Sequence, residues 1–483
     1  MSEASPRLTA EFVARALGTA APPASGGAIE FSSVTTDSRS VPKGALFVAI
    51  QGEKFDGHDF VAEAVAQEAA GVLCRERTAV PSGALAFHVP ETLSGYRRLA
   101  GAWRREFHFP VVAVAGAVGK TTTKDMLAAI LSGRWPSVLR TAQSQNGYLG
   151  IAITLMQLRA SHGAAVIEIG IDEPGAMKAH LEIVRPDAAL VTAVGPEHLE
   201  KLGTIERVAE EETRALAHVS SHGGRAIVNL DDPWVREWIE GASRAPGFDP
   251  KRHLCYALGP DPKAPGGCPV LRGAAVNGAI ALEGAGLGGE PLPLPLPGEH
   301  NARNLLAAAA AAAALGLSVQ EIRQGLKSFQ PGFGRTDVRS LQGGITVLCD
   351  YYNANPTSMR AALSLLRELG TKPGGAGALW ACLGDMLELG PDEERFHREL
   401  ASDIVSNGVT RVLFLGNRMA WLGDELARRS YPGVVRQFDS REELGRALAS
   451  GLRTGDRVLI KGSRGMRMEE VWKILDLHAK NRS

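Results

Sequence analysis

Apolar residues recur at helical spacing over residues 8–18, which predicts a short amphipathic helix. Residues 31–50, FSSVTTDSRSVPKGALFVAI, alternate short β-type runs with turns. DFVAEAVAQEAAGVLC (59–74) then reads as a helix followed by a strand, and SGYRRLAGAWRREF (94–107) as a helix. After Pro110 the pattern changes. VVAVAG (111–116) is apolar throughout, as in a central parallel strand buried on both faces. A helix, TTTKDMLAAIL (121–131), follows it. The alternation recurs with AAVIEIG, PGAMKAHLEIV, AALVTAV, IERVAEEETRALAHV and GRAIVNL, strand and helix in turn.

Such alternation predicts a doubly wound parallel sheet. The Gly- and Pro-rich stretch 255–300 reads as a β-type excursion, and the Ala-rich helix after it closes the central region. From Gly334 a third α/β segment begins. GITVLCDYY, ALWACLGDM, RVLFLG and RVLIKGS read as its strands, and SMRAALSLLREL as a helix. The expected organisation is α/β throughout, with domains at 1–108, 109–333 and 334–483. The second holds the parallel sheet and the third is Rossmann-like.

Lys+Arg and Asp+Glu are both 53, so the net charge of +0 argues against a nucleic-acid partner. Five scattered cysteines with no C-x-x-C pair suggest neither a zinc knuckle nor a disulfide framework, and point to a reducing cytoplasm. The N-terminal segment has no apolar signal core, and the apolar run 305–317 is too short and Ala-rich to span a membrane. No membrane insertion is expected.

The chemistry concentrates in VVAVAGAVGKTTTKDML (111–127). A strand ends at Gly116, a tight loop runs through Ala117 and Val118 to Gly119, and Lys120, Thr121 and Thr122 open a helix. Backbone N–H groups at a helix start, with the helix dipole, favour an anion. Lys120 adds a charge for the β/γ-phosphates of ATP, and a threonine hydroxyl can ligate Mg²⁺. The bland alternative is an ordinary strand–turn–helix with a surface lysine. Val114 stands where the usual, longer phosphate loop has its first glycine.

The shortened loop G-x-x-G-K-T-T resembles that of the Mur ligase superfamily, whose members couple ATP cleavage to amide-bond formation. The resemblance runs over nearly the whole chain. TTDSRSVPKGALFVAIQGEKFDGHDFVAEAV (35–65) is similar to the superfamily's uridine-nucleotide-binding segment, with Ser38 as the substrate contact. CDYYNANPTSMRAAL (349–363) and LGDMLELGPDEERFHREL (383–400) resemble the branch that adds a terminal dipeptide to a peptidoglycan precursor. The branch adding a single third residue would carry Asp-Tyr-Ala-His and Asp-Asn-Pro-Arg motifs, which are absent. The implied partners are UDP-N-acetylmuramoyl-tripeptide and D-alanyl-D-alanine, the implied cofactors ATP and Mg²⁺, and the expected state a monomer.

The resemblance implies roles residue by residue. Glu168, at the carboxyl end of an apolar strand, is the magnesium carboxylate; otherwise it is a strand-end glutamate paired with a surface lysine. His198, in GPEHLEKLG, sits by a second metal. Asn146 in QSQNGYLG contacts the muramyl peptide, although Asn-Gly is also a plain turn signal. His300, Asn301 and Asn304 lie near adenine and ribose, or simply cap a helix. Arg335 contacts phosphate or ribose, Asp350 is a ribose-side carboxylate, and Tyr352, Asn353 and Asn355 line the cleft. Lys461 and Arg464 attract a substrate carboxylate, or cap a helix.

Three departures stand out. Ala117 and Val118 replace polar loop residues, so side-chain contacts to phosphate are lost while backbone N–H groups remain. Ala115 replaces a threonine. Glu212, fourteen residues after His198, stands where relatives have a carbamylated lysine that offers a carboxylate to metal. Glu212 is therefore a metal candidate with Thr121, Glu168 and His198. The implied reaction phosphorylates a substrate carboxylate and lets the dipeptide amine displace phosphate. The alternatives are another amino-acid ligase of the superfamily and a non-catalytic nucleotide-binding paralogue.

Overall fold

The computed structural model describes residues 5–19, 29–259, 264–371 and 377–480. The first four residues of the N-terminal stretch, and 260–263 in the Gly/Pro-rich excursion, lie outside them. The chain gathers into two compact units. The first comprises 1–113, 135–170 and 176–188; the second comprises 114–134, 171–175 and 189–483.

In the first unit, Val34–Thr35, Leu46–Val48, Gly71–Arg75 and Leu85–Val89 form a four-stranded parallel sheet in chain order. The predicted first helix spans Ala10–Leu17, started by the Thr9 hydroxyl and stopped by Gly18 at φ +67°. The helix predicted over 94–107 spans Thr92–Arg104, with Glu91 accepting from the N–H groups of Leu93 and Ser94. Two of its arginines are buried and satisfied by carbonyls. Arg97 donates to Tyr148 and Ala179, and Arg104 to Val184, Arg185 and Phe107. The two differ. Arg104 sits on the C-terminal carbonyls of Val184 and Arg185, where a cation fills orphan acceptors and complements the dipole. Arg97 instead reaches the first residue of helix Tyr148–Leu155 and the mid-helix carbonyl of Ala179. Both arginines bind this helix to Ala176–Val184. The strands Val138–Arg140 and Ala164–Glu168 pair in parallel in the same unit.

In the second unit, Arg225–Asn229, Leu254–Leu258 and Val270–Val276 run parallel. The excursion then turns back as the antiparallel strands Ala279–Glu283 and Leu292–Pro293. Helix Lys120–Leu131 is buried along its whole length. The Ala-rich helix Glu299–Ala314 packs on it, its small side chains permitting close approach. A six-stranded sheet follows in the order Asp337–Leu341, Ile345–Cys349, Arg457–Lys461, Leu379–Gly384, Arg411–Leu415, Val434–Phe438. Its first pair is antiparallel and the rest parallel. Two of these strands, Asp337–Leu341 and Val434–Phe438, interrupt their apolar residues with arginine and other polar side chains. They are sheet edges with largely exposed side chains.

Candidate active site

The phosphate loop lies in the second unit, and its two glycines are required by shape. Gly116 has φ +117° and Gly119 φ +85°. A Cβ on Gly116 would stand 2.3 Å from Thr192 Oγ1, and one on Gly119 would stand 2.4 Å from Asn304 Oδ1. Thr192 fastens the loop by donating from its hydroxyl to the Val118 carbonyl at 2.6 Å and from its N–H to Ala115 at 2.9 Å. The Ala117 N–H donates to the Ala193 carbonyl at 2.7 Å, and the Gly116 N–H to Glu212 Oε2 at 2.7 Å. Two loop N–H groups are thus used inside the protein, and any anion cradle is left to the helix start.

Lys120 is buried, and its Nζ lies 3.2 and 3.1 Å from the two oxygens of Glu197. Burial would raise the Glu197 pKa, but Lys120 and His198 hold it below the usual carboxylate range. His198 has left-handed backbone at φ +50°. Its Nε2 faces Glu197 Oε1 at 3.6 Å and its Nδ1 meets Glu388 Oε2 at 2.7 Å. Burial would lower the imidazole pKa, yet the two carboxylates push it up to about 9, so the ring is an imidazolium. Charges alternate along Lys120, Glu197, His198 and Glu388.

Glu212 is fully buried. One oxygen takes the Gly116 N–H and the other, Oε1, has no hydrogen-bond partner. Burial pushes this carboxyl up to about 7, with Lys120 opposing. Its neighbour Glu211 turns elsewhere, accepting from the Gly175 N–H at 3.0 Å and pairing with Arg214 at 3.2 Å.

Asn301 and Asn304 connect the Ala-rich helix to the loop helix. Asn301 donates to the Pro297 carbonyl at 2.8 Å and accepts from Asn304 at 3.2 Å; Asn304 accepts from the Thr123 hydroxyl at 3.3 Å. Beside them lies a second polar cluster. Asp350 accepts from the Thr336 N–H at 3.0 Å and from Lys461 Nζ at 2.5 Å, and His300 Nε2 lies 3.5 Å from the Thr336 hydroxyl. Lys461 also donates to the Asn353 carbonyl at 2.9 Å and is 2% exposed, so it is an internal cation rather than a carboxylate trap. The Arg335 guanidinium lies 4.3 Å from the Tyr352 ring centroid and that of Arg464 5.9 Å on the same ring. Asn353 Oδ1 accepts from the Ala354 N–H, and Asn355 caps helix Pro356–Thr371 by accepting from the Ser358 N–H at 2.9 Å.

Three predicted residues lie in the first unit. Glu168 is buried at the end of its strand, and Asn146 Nδ2 donates to it at 2.8 Å. The residue assigned to substrate and the one assigned to metal are thus brought together. Ser38 sits in the turn after Val34–Thr35, its carbonyl accepting from Gln67. Sequence reasoning passed over Thr192, Glu197 and Glu388. Glu197 had a signal, since it adjoins His198, while Thr192 and Glu388 meet their partners only across long chain separations.

Three family models match: the Mur ligase family catalytic domain over 30–120, the Mur ligase middle domain over 114–250, and the Mur ligase glutamate ligase domain over 334–464. The UDP-N-acetylmuramoyl-tripeptide–D-alanyl-D-alanine ligase of Synechocystis is 33% identical, covering 90% of each chain. That of Bacillus subtilis is 30% identical, covering 92% of each. Among solved structures, MurF from Acinetobacter baumannii superposes with a TM-score of 0.81 at 27% identity, covering 97% of this chain and 99% of that one. MurF ligase from Thermotoga maritima in complex with ADP gives 0.75 at 27% identity, covering 93% and 98%. With relatives of this identity matched nearly end to end and all three models in sequence order, the chain belongs to the Mur ligase family.

Proposed function

We propose that the protein joins D-alanyl-D-alanine to UDP-N-acetylmuramoyl-tripeptide at the expense of ATP, in peptidoglycan precursor synthesis. The observation that carries this reading is the loop Gly116–Gly119 with Lys120 at the start of a buried helix, in a chain whose full-length relatives bear that ligase's name. A carboxylate is a poor acyl donor because its charge repels nucleophiles. Transfer of the γ-phosphoryl group to the tripeptide carboxylate makes an acyl phosphate. The dipeptide amine attacks its carbonyl carbon, the C–O bond to phosphate breaks, and the amine loses a proton as the amide forms. Lys120 neutralises phosphate charge and the helix N-terminus orients the anion. To do so Lys120 leaves Glu197, whose charge His198 then balances.

Magnesium is the metal this chemistry implies. The orphaned, buried Oε1 of Glu212 fits a hard cation, which takes oxygen donors. Among the described residues no three His, Cys, Asp or Glu side chains gather as a full cage. Mg²⁺ needs none, since it keeps waters and takes phosphate oxygens. Glu212 and the Thr121 hydroxyl would hold it in the second unit, where it would shield the transferred phosphoryl charge. Glu168 is a further magnesium carboxylate and Asn146 its positioning partner. His198, with both ring nitrogens facing carboxylates, balances charge beside the metal. Asn301, Asn304, Arg335 and Asp350 serve the nucleotide, and Ser38, Tyr352, Asn353 and Asn355 the other substrates. The working form is a cytoplasmic monomer; among the described residues no helix is long and apolar enough to cross a membrane.

The test is phosphate release from ATP with UDP-N-acetylmuramoyl-tripeptide, with and without D-alanyl-D-alanine. Release that depends on both supports the ligase. Release with another amino acid alone, or none at all, would replace it by a related ligase or a non-catalytic nucleotide binder.

A further inference from the structure

The segment Gly384–Gly390 is, on sequence alone, a mark of family membership without a task. In the structure it reaches the phosphate lysine through two residues. Glu388 holds left-handed backbone at φ +64°, which residues with side chains rarely adopt, so its surroundings must fix it. Leu389 is buried at 1% exposure. Gly390 presses so closely on the start of helix Leu199–Leu202 that a Cβ there would stand 3.0 Å from the Glu200 nitrogen. Fixed in this way, the Glu388 carboxylate meets His198 Nδ1 at 2.7 Å.

We propose that Glu388 is a positioning residue for nucleotide binding, acting through His198 and Glu197 on Lys120. The inference rests on Lys120 being the phosphate-binding lysine. Glu197 grips Lys120 with both oxygens, and a phosphate must compete for that ammonium. Among the described residues, the other basic side chain facing Glu197 is His198, with Nε2 3.6 Å from Oε1. From 2.7 Å at Nδ1, Glu388 keeps the His198 ring turned with Nε2 toward Glu197, so that Lys120 can leave without stranding a buried anion. Without Glu388, Glu197 leans on Lys120 alone and releases it less readily. Because the Glu388 side chain is 61% exposed, losing it removes little packing.

The experiment is binding of the non-hydrolysable analogue AMP-PNP at fixed Mg²⁺, by calorimetry on the full chain. The proteins are the parent, Glu388→Gln, Glu388→Asp, His198→Asn, Glu388→Gln with His198→Asn, and Lys120→Ala. Glu388→Gln should weaken binding on the order of tenfold, about 1.4 kcal/mol. The thermal midpoint and the KM for D-alanyl-D-alanine should not change, and Glu388→Asp should recover part of the affinity. On the His198→Asn background Glu388→Gln should add nothing, because the relay is already cut. An equal loss on both backgrounds, or no loss in the parent, overturns the inference. If Lys120→Ala binds the analogue as the parent does, the role given to Lys120 has failed instead, and the relay with it.

Discussion

Lys120 and Glu197 are each nearly out of solvent, and each is the other's counter-charge. Breaking a buried pair from one side costs about 3–5 kcal/mol where the remaining charge is left uncompensated, and His198 beside Glu197 softens that loss here. Lys120→Ala should therefore fold with a stability loss smaller than that, and release no phosphate. Adding Glu197→Gln should restore most of the stability and none of the turnover. Urea unfolding midpoints with a phosphate-release assay check this; turnover in either variant would remove Lys120 from the reaction. Glu212 poses a different case, with one oxygen occupied by Gly116 and one orphaned. A glutamate stands where the family resemblance implies a carbamylated lysine, so activity should not respond to bicarbonate. Glu212→Gln should raise the Mg²⁺ concentration needed for half-maximal rate several-fold. Glu211→Gln should do much less, because Glu211 serves the Gly175 N–H and Arg214. A Glu212→Gln protein with the parent's Mg²⁺ titration would leave that carboxylate a structural acceptor.

At the scale of elements, the second cluster is held by the ion pair between the ends of strands Ile345–Cys349 and Arg457–Lys461. Burial would raise the Asp350 pKa, but Lys461 and the Thr336 N–H keep it below the ordinary aspartate range. A carboxyl lowered in the folded state stabilises above its unfolded pKa, about 3.9, and that stability is lost as pH falls through the folded value. Asp350→Asn should flatten this part of the acid-unfolding profile. Superimposable profiles for parent and variant would mean the pair adds no pH dependence. Strands such as Val111–Ala115 were legible in the sequence because burial on both faces leaves only apolar residues. Helix Lys120–Leu131 was legible from the motif that opens it. The edge strands Asp337–Leu341 and Val434–Phe438 were not, since most of their side chains face water and only ends such as Phe438 reach the core. Lys461 illustrates the limit at a site: a lysine in KGSRG reads as a substrate trap until the fold places Asp350 2.5 Å away. Glu388 illustrates it too, because no local pattern announces a partner 190 positions earlier.

For the whole molecule, 53 basic and 53 acidic side chains cancel, so no net charge draws an anionic substrate from a distance. Capture then depends on cations placed at the site. With Lys461 committed to Asp350, the C-terminal segment offers Arg335 and Arg464 near the Tyr352 ring, Arg464 about half exposed and paired with Glu469. A dipeptide acceptor carries its carboxylate one residue, about 3.5 Å, farther from the attacking amine than a single amino acid does. A guanidinium set for the dipeptide therefore misses the carboxylate of a free amino acid when the amine is in place. D-Alanyl-D-alanine should outcompete lysine and diaminopimelate for ligation. Arg464→Gln should raise its KM roughly tenfold, the loss of about 1.4 kcal/mol expected for one charge-assisted contact, while the KM for ATP stays fixed. Preference for a single amino acid in the competition would sink the dipeptide assignment. A dipeptide KM untouched by Arg464→Gln would move the carboxylate site to Arg335 or off this segment.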